Sequence, residues 1–353
     1  MVGGLYNNFM KAIHFGSVTI AEGNPVVIIA EIAVQHGGRM EAAKRLIDAA
    51  KAARADIAKF QLHVPAAEMV PGSIKFWGGS MDDILRETNF ASYEQHKELK
   101  DYCQQVGIQY LCTPFCIAAV DILEQVGAEG YKTGSGELTN LPMMRHIAKT
   151  GKPIIFSTGM STMEEIAATV GVLKTEGANF VITHCLSEYP PDHSHMNLGL
   201  IPKLKEEFDV MIGSSDHSTE IYSALAAVVL GARVIEKHFT LPDLHGPDDA
   251  VSLPPAQFKE MVQAIRKIEM ALGNEKSIST GEQVVRDWAH HSVVVARDIK
   301  QGEVLNLGNL VAKRPGRGIP ARYLDRLYAD KLIGKKAARD LPLNTILQWG
   351  DVL

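Results

Sequence analysis

Two histidines carry the first chemical signal: His217 within Ser214-Ser-Asp-His-Ser218, and His238 within Ile235-Glu-Lys-His-Phe-Thr240, each closing a short apolar run. If those runs are neighbouring parallel strands, both imidazoles reach one rim and can share a metal ion. Each lies beside a carboxylate, Asp216 or Glu236, able to orient it. A lone buried histidine is usually a hydrogen-bonded core residue, but two closing adjacent runs favour a metal pair, and neutral imidazoles suit a divalent transition metal better than Ca²⁺. Lys59 and Gln61 stand two apart and therefore share one strand face, with Phe60 turned the other way. Lys132, Ser135, Thr113, Ser157, Ser187 and Tyr189 close or follow further runs. Two ammonium groups among hydroxyls and glycine turns, Gly134-Ser-Gly136 and Ser157-Thr-Gly159, make a site for an anion bearing phosphate and carboxylate. Glu31, ending its own run, is a candidate general base. Asp248, in Gly246-Pro-Asp-Asp249, is either a turn aspartate or a holder of substrate hydroxyls.

Such residues work together only if their strands converge. From Val26 onward, short β-branched runs alternate with amphipathic helical patterns, as in parallel βα units. Eight runs qualify: Val26–Ala30, Ile57–Gln61, Gln109–Thr113, Gly130–Lys132, Pro153–Ser157, Phe180–His184, Met211–Ser214 and Val234–His238. The first helix carries Ala42, Leu46, Ala49, Ala50 and Ala53 on one stripe, and the last carries Phe258, Met261, Val262, Ile265, Ile268 and Leu272 before Gly273. Ser161-Thr-Met-Glu164 reads as a capping box opening the fifth helix. Eight units over roughly 250 residues predict an α/β protein built on a (β/α)8 TIM barrel, whose active site lies at the C-terminal ends of its strands. Ala12 to Glu22 reads as a strand-turn-strand that plugs the barrel bottom. Residues 1–273 would form this domain and the polar stretch 274–291 a linker. Residues 292–353, rich in Gly, Pro and short β-like runs, would form a small β-rich domain too short to bury a large core alone.

The 353-residue chain is 46% hydrophobic with a net charge of −5, so it can bury a large core. It has no basic run suited to a phosphate backbone, which argues against nucleic acid. The four cysteines, Cys103, Cys112, Cys116 and Cys185, show no Cys-x-x-Cys spacing and are expected to be reduced. No apolar stretch nears the roughly 20 residues of a membrane span, and Met1 to Phe15 lacks a signal-peptide pattern. A cytoplasmic location is expected.

At these positions the chain resembles the sialic acid synthase family, which includes legionaminic and pseudaminic acid synthases. The likeness rests on Ile29-Ala-Glu31, Ala58-Lys-Phe-Gln61, Cys112-Thr-Pro-Phe115, Tyr131-Lys-Thr-Gly-Ser-Gly-Glu-Leu-Thr-Asn140 and Ser157-Thr-Gly-Met160. It continues through His184-Cys185, Tyr189-Pro190, Ser215-Asp-His217, Ile235-Glu-Lys-His-Phe239 and Gly246-Pro-Asp248. In the tail, Lys313-Arg-Pro-Gly316, Gly318-Ile319 and Ile333-Gly-Lys335 look like that family's antifreeze-like (SAF) domain.

The resemblance implies condensation of phosphoenolpyruvate with an N-acetylated amino sugar, most simply N-acetylmannosamine, to a nine-carbon 2-keto acid and phosphate. A 2,4-diacetamido-trideoxy sugar is the alternative substrate, and a non-catalytic carbohydrate-binding protein the alternative of another class. It further implies a divalent metal on His217 and His238, Mn²⁺ preferred with Mg²⁺ or Co²⁺ possible, and Glu31 activating the attacking water. Phosphoenolpyruvate would contact Lys59, Thr113, Lys132, Ser135, Ser157 and Ser187. The sugar would face Gln61, Tyr189 and Asp248, with Arg314 reaching it across a domain-swapped homodimer. Three positions depart from the family pattern: Gln35-His-Gly-Gly38 replaces Asn-His-Asn-Gly, Asp249 replaces histidine, and Leu186 stands where threonine is common.

Overall fold

The computed structural model describes residues 11–76 and 79–353. Eight parallel strands, Val27–Ala33, Ile57–Leu62, Gln109–Pro114, Tyr131–Thr133, Ile154–Ser157, Phe180–Cys185, Ile212–Asp216 and Val234–His238, form the expected barrel. They are called strands one to eight below. Strand eight pairs with strand one, and strands three and four lie side by side to complete the ring.

Alternation along each strand divides the residues between two environments. Ile28, Ala30, Ile32, Ala58, Phe60 and Ile235 point outward and pack with helix residues such as Leu46, Leu99 and Phe258. Val27, Ile29, Ile57, Leu111, Ile155, Val181, Met211 and Val234 point inward and form an apolar floor. The hairpin Ile13–Phe15 and Val18–Ile20 seals that floor from below with Ile13, Phe15 and Ile20. The Phe15 ring lies where a Cβ on Gly130 would sit, 2.3 Å from its edge, so a side chain at 130 would displace the plug.

Helices end where the chain has the residues to end them. The helices Tyr93–Val106 and Ile117–Val126 both stop at a left-handed glycine, Gly107 and Gly127. The fifth barrel helix, Met163–Thr175, has a capping box one residue later than the sequence pattern predicts: Thr162 is the cap and Glu165 its partner. The preceding Ser161 instead donates to the Gly159 carbonyl.

The chain divides into two compact units after Gly273. In the second unit, Ser292–Val295 and Leu310–Lys313 pair antiparallel and isolated bridges tie down the remaining turns. Val293, Val295, Ile299, Leu305, Leu310, Ile319, Leu332, Leu341 and Leu347 form its core. The stretch read from sequence as a linker holds a helix, Thr280–Ala289, opened by a Ser279/Glu282 capping box. Its apolar residues, Val284, Val285 and Trp288, form a stripe little more than one turn long and are exposed.

Removing the plug ring should be costly. Phe15→Ala is expected to destabilise the barrel by about 3–5 kcal/mol, seen as a lower urea midpoint followed by tryptophan-independent far-UV circular dichroism.

Candidate active site

The inward positions above the apolar floor are almost all polar, because the same two-residue step that buries an aliphatic side chain brings up a functional one. Ile57 leads to Lys59 and Gln61, Val234 to Glu236 and His238, and Ile29 to Glu31. Leu111 leads to Thr113, Ile155 to Ser157, and Val181 to Thr183 and Cys185. A register shift between Glu31 and Ala33 bends strand one where its carboxylate meets this layer.

The centre is a buried set of four charges. Lys59 Nζ lies 2.8 Å from Glu31 Oε2 and 3.7 Å from Glu236 Oε2, and Lys132 Nζ lies 3.8 Å from Glu236 Oε1. Lys59 donates to Thr113 Oγ1 at 3.0 Å, and Lys132 to Ser157 Oγ at 2.6 Å and the Thr133 carbonyl at 2.8 Å. Glu236 accepts from Ser215 Oγ at 2.9 Å, and Glu31 from Gln61 Nε2 at 2.9 Å.

Burial opposes charge on all four groups, and their neighbours decide the outcome. For Glu31, burial outweighs Lys59, is reinforced by Glu236, and raises the carboxyl to about 7. Burial pushes Glu236 up too, but Lys132 and Lys59 together outweigh it and hold this carboxyl below its ordinary value. Lys132 is lowered, burial being only partly offset by Glu236. Lys59 is raised, because Glu236 and Glu31 overcome its burial. Glu31 is therefore poised to exchange a proton, and Glu236 is a fixed anion between two cations.

The two histidines stand beside this layer with ring centroids 5.3 Å apart. Tyr189 stacks on His217 at 4.1 Å and meets His238 edge-on at 5.9 Å. Burial lowers His217 to about 4, with His238 beside it, and His238 to about 3, with Lys59 as the next cause. Both rings are neutral near pH 7 and each keeps a lone pair. His217 Nδ1 donates to the Leu186 carbonyl at 2.8 Å, leaving Nε2 as its free donor atom. His238 Nδ1 is buried without a hydrogen bond, 3.6 Å from Asp248 Oδ2. Two neutral imidazoles with an orphaned ring nitrogen fit a divalent metal. No group of three or more His, Cys, Asp or Glu able to hold a metal occurs among the described residues, so further ligands would be water or substrate.

Neither orienting role predicted from sequence is met: Glu236 bonds Ser215 and faces Lys59 and Lys132 with no hydrogen bond to His238. Asp216 faces away from the cavity: its carboxylate accepts from Lys237 Nζ at 2.8 Å, Ser223 Oγ at 2.7 Å, and the Ser218 amide and hydroxyl at 2.9 and 3.0 Å. Alternation explains this, since Asp216 and Lys237 are register partners on the outward face. The pair braces the turn that carries His217 from behind.

Eleven predicted residues, Glu31, Lys59, Gln61, Thr113, Lys132, Ser135, Ser157, Ser187, Tyr189, His217 and His238, line one cavity of about 300 Å³. Asp248 lines a second chamber of about 500 Å³, which shares Gln61, Phe115, Tyr189 and His238 with the first. Its burial raises its carboxyl to about 6. Most of that chamber's wall is apolar: Val34, Met69, Ile74, Met81, Ile84, Leu85, Pro247 and Ala250. Arg314 belongs to the second unit, where its Nε donates to the Ala289 carbonyl and its guanidinium lies 5.7 Å from the Trp288 ring centre. Sequence reasoning passed over Glu137, Cys185, His63 and Glu68, which also line the two chambers. Of these, His63 shared the two-residue step from Lys59 and Gln61 and was legible on that ground.

Taken together, the fold and site define a (β/α)8 barrel with an anion- and metal-competent cavity at the C-terminal ends of its strands, joined to a small β-rich unit. Residues 46–277 match the NeuB family and residues 290–353 the SAF domain; the chain belongs to the NeuB family. It is 38% identical over 327 residues to an N,N'-diacetyllegionaminic acid synthase of Campylobacter jejuni, covering 89% of this chain and 96% of that one. It is 34% identical over 321 residues to the N-acetylneuraminate-9-phosphate synthase of Mus musculus, with 88% and 89% covered. The crystal structure of an N-acetylneuraminic acid synthetase from Leptospira borgpetersenii, solved with citrate, superposes with a TM-score of 0.71 at 31% identity, covering 79% of this chain and 96% of that one.

If the lysines form an anion site, millimolar inorganic phosphate should raise the thermal midpoint of the wild-type chain by ligand linkage. Lys132→Met should abolish that increment in differential scanning fluorimetry, whatever its own baseline midpoint.

Proposed function

We propose that the chain is a phosphoenolpyruvate-dependent nonulosonic acid synthase, a transferase that joins the three-carbon acid to an N-acylated amino sugar and releases phosphate. The carrying observation is the two-chamber cavity, with two ammonium groups and hydroxyls in one chamber and neutral imidazoles and an acid at its border with the other. Family membership and the activities named for its relatives support the same reading.

In this reading Lys59, Lys132, Thr113, Ser135, Ser157 and Ser187 hold the phosphate and carboxylate of phosphoenolpyruvate by charge-assisted hydrogen bonds. Glu236 fixes the spacing of the two lysines. Gln61, Tyr189 and Asp248 orient the sugar so that its aldehyde carbon meets C3 of phosphoenolpyruvate. His217 and His238 would hold a divalent cation, Mn²⁺ by the family resemblance, which supplies Lewis acidity toward the aldehyde oxygen. Glu31, with Gln61 and Lys59 on its two oxygens, accepts a proton from the water that adds at C2. Collapse of that adduct breaks the C2–O bond and frees phosphate. Arg314 would complete the sugar site from a second subunit of a domain-swapped homodimer, and the enzyme would act in the cytoplasm. No helix of the described residues is long and apolar enough to cross a membrane.

The apolar second chamber favours a 2,4-diacetamido-2,4,6-trideoxy sugar over N-acetylmannosamine. A deoxy methyl and acetyl methyls gain from contact with Met69, Ile84 and Leu85, whereas a free hydroxyl set against that stretch of wall, away from Gln61 and Asp248, would lose water without a replacement partner.

Phosphate release with phosphoenolpyruvate, Mn²⁺ and each sugar tests both statements. We expect turnover abolished by chelation and by His238→Ala, with circular dichroism unchanged. The trideoxy sugar is expected to be preferred by about tenfold or more in kcat/KM, a factor a few apolar contacts can supply. No phosphate release with any acylated amino sugar would refute the synthase reading, and a preference for N-acetylmannosamine would restore the simpler substrate.

A further inference from the structure

A hydrogen-bonded chain crosses from the second chamber to Glu31. Glu68 accepts from His63 Nδ1, at 3.0 and 2.9 Å to its two oxygens. His63 Nε2 lies 3.2 Å from Gln61 Oε1, and Gln61 Nε2 donates to Glu31 at 2.9 Å. His63 is buried, its ring stacked on Phe115 with centroids 3.8 Å apart. Asn89 pins its backbone on both sides, accepting from its amide at 3.3 Å and donating to its carbonyl at 2.9 Å. This ring is held by more constraints than a wall of a chamber needs.

The chemistry of the chain dictates where its protons lie. An amide oxygen only accepts, so the contact with Gln61 Oε1 takes its proton from His63 Nε2, while the contact at Nδ1 is one proton shared between the ring and the Glu68 carboxyl. With its oxygen held by His63 Nε2–H, the Gln61 amide has one orientation, its N–H₂ toward Glu31. Reversed, it would set an oxygen against the Glu31 carboxylate. We propose that His63 and Glu68 are positioning residues that lock the Gln61 amide and, through it, the proton-accepting oxygen of Glu31. The proposal rests on the synthase reading only for the role of Glu31; the orientation of Gln61 stands on the hydrogen bonds alone.

Two measurements test it, and they fail separately. The first is the ¹⁵N spectrum of the His63 ring, assigned by comparison with His63→Gln. Nε2, the nitrogen facing the Gln61 oxygen, should carry a proton in the wild-type chain. The second is a double-mutant cycle in the phosphate-release assay. Glu68→Gln should lower kcat by about 10- to 100-fold, as loss of an orienting partner does, with the KM for phosphoenolpyruvate within about twofold. On a Gln61→Ala background the same substitution should change kcat by less than about twofold. His63→Gln, which can still donate to the Gln61 oxygen, should keep more activity than His63→Leu. A proton-free Nε2 in the wild type, a wild-type kcat in Glu68→Gln, or fully additive losses in the cycle would each overturn the proposal. Absence of turnover by the wild type would strike the synthase reading and leave the ¹⁵N result to decide the dyad.

Discussion

Four charges without access to bulk water hold this site together. Each of Glu31, Lys59, Lys132 and Glu236 would be costly inside a barrel by itself, and breaking a buried ion pair by removing one member costs about 3–5 kcal/mol. They are tolerated because each cation has an acid within 4 Å and a hydroxyl as well. The arrangement is nevertheless not one of ideal pairs. Glu31 Oε2 and Glu236 Oε2 lack a directed hydrogen bond, although Lys59 stands near both. A layer assembled only for stability would satisfy those oxygens. One in which the lysines must also turn toward an incoming dianion leaves them partly free, and the unequal protonation of the two acids follows from the same geometry.

The reverse faces of the same strands carry the mechanical counterpart. Lys237, between Glu236 and His238, points out of the barrel and bonds Asp216 and the Ser218 hydroxyl. Asp216 in turn gathers Ser218 and Ser223. The turn bearing His217 is thus clamped on its outer side while the imidazole is presented inward, and the Leu186 carbonyl fixes its tautomer. Bracing of the His217 turn occupies no cavity position, because the side chains that provide it, Asp216 and Lys237, lie on positions of opposite parity.

That parity also explains what could and could not be read from sequence. The strands, their order and the convergence of eleven site residues were legible because a parallel barrel imposes a two-residue step and places chemistry at strand ends. Lys59 with Gln61, and Glu236 with His238, announce themselves on that rule. The role of Asp216 was misjudged by the same rule left unapplied, since a residue next to a ligand in sequence sits on the opposite face. The helix Thr280–Ala289 has a short apolar stripe, Val284, Val285 and Trp288, that stays exposed, and one turn of periodicity between polar flanks reads as linker. His63 continues the two-residue step of Lys59 and Gln61, whereas Glu68 meets it from the end of the short helix Pro65–Glu68, and that pairing has no signature in residue spacing.

The three departures from the family pattern have different physical weight. Leu186 contributes its carbonyl to His217, which any residue supplies, so the side chain there is unconstrained by that contact. Gln35 and Asp249 are partners: Gln35 Nε2 donates to Asp249 Oδ1 at 3.1 Å and to Ser252 Oγ at 3.2 Å. Gly246, whose amide donates to Asp249 at 2.9 Å, leaves room for the approach, since a Cβ there would lie 1.7 Å from Gln35 Oε1. Two changes in separate loops therefore form one brace that sets the loop holding Asp248 against the end of strand one. Asp248 lines the apolar chamber and none of the phosphate-facing residues takes part in the brace. The charged layer is thus mechanically separate from the loop that carries Asp248, because no side chain of the brace bonds Glu31, Lys59, Lys132 or Glu236.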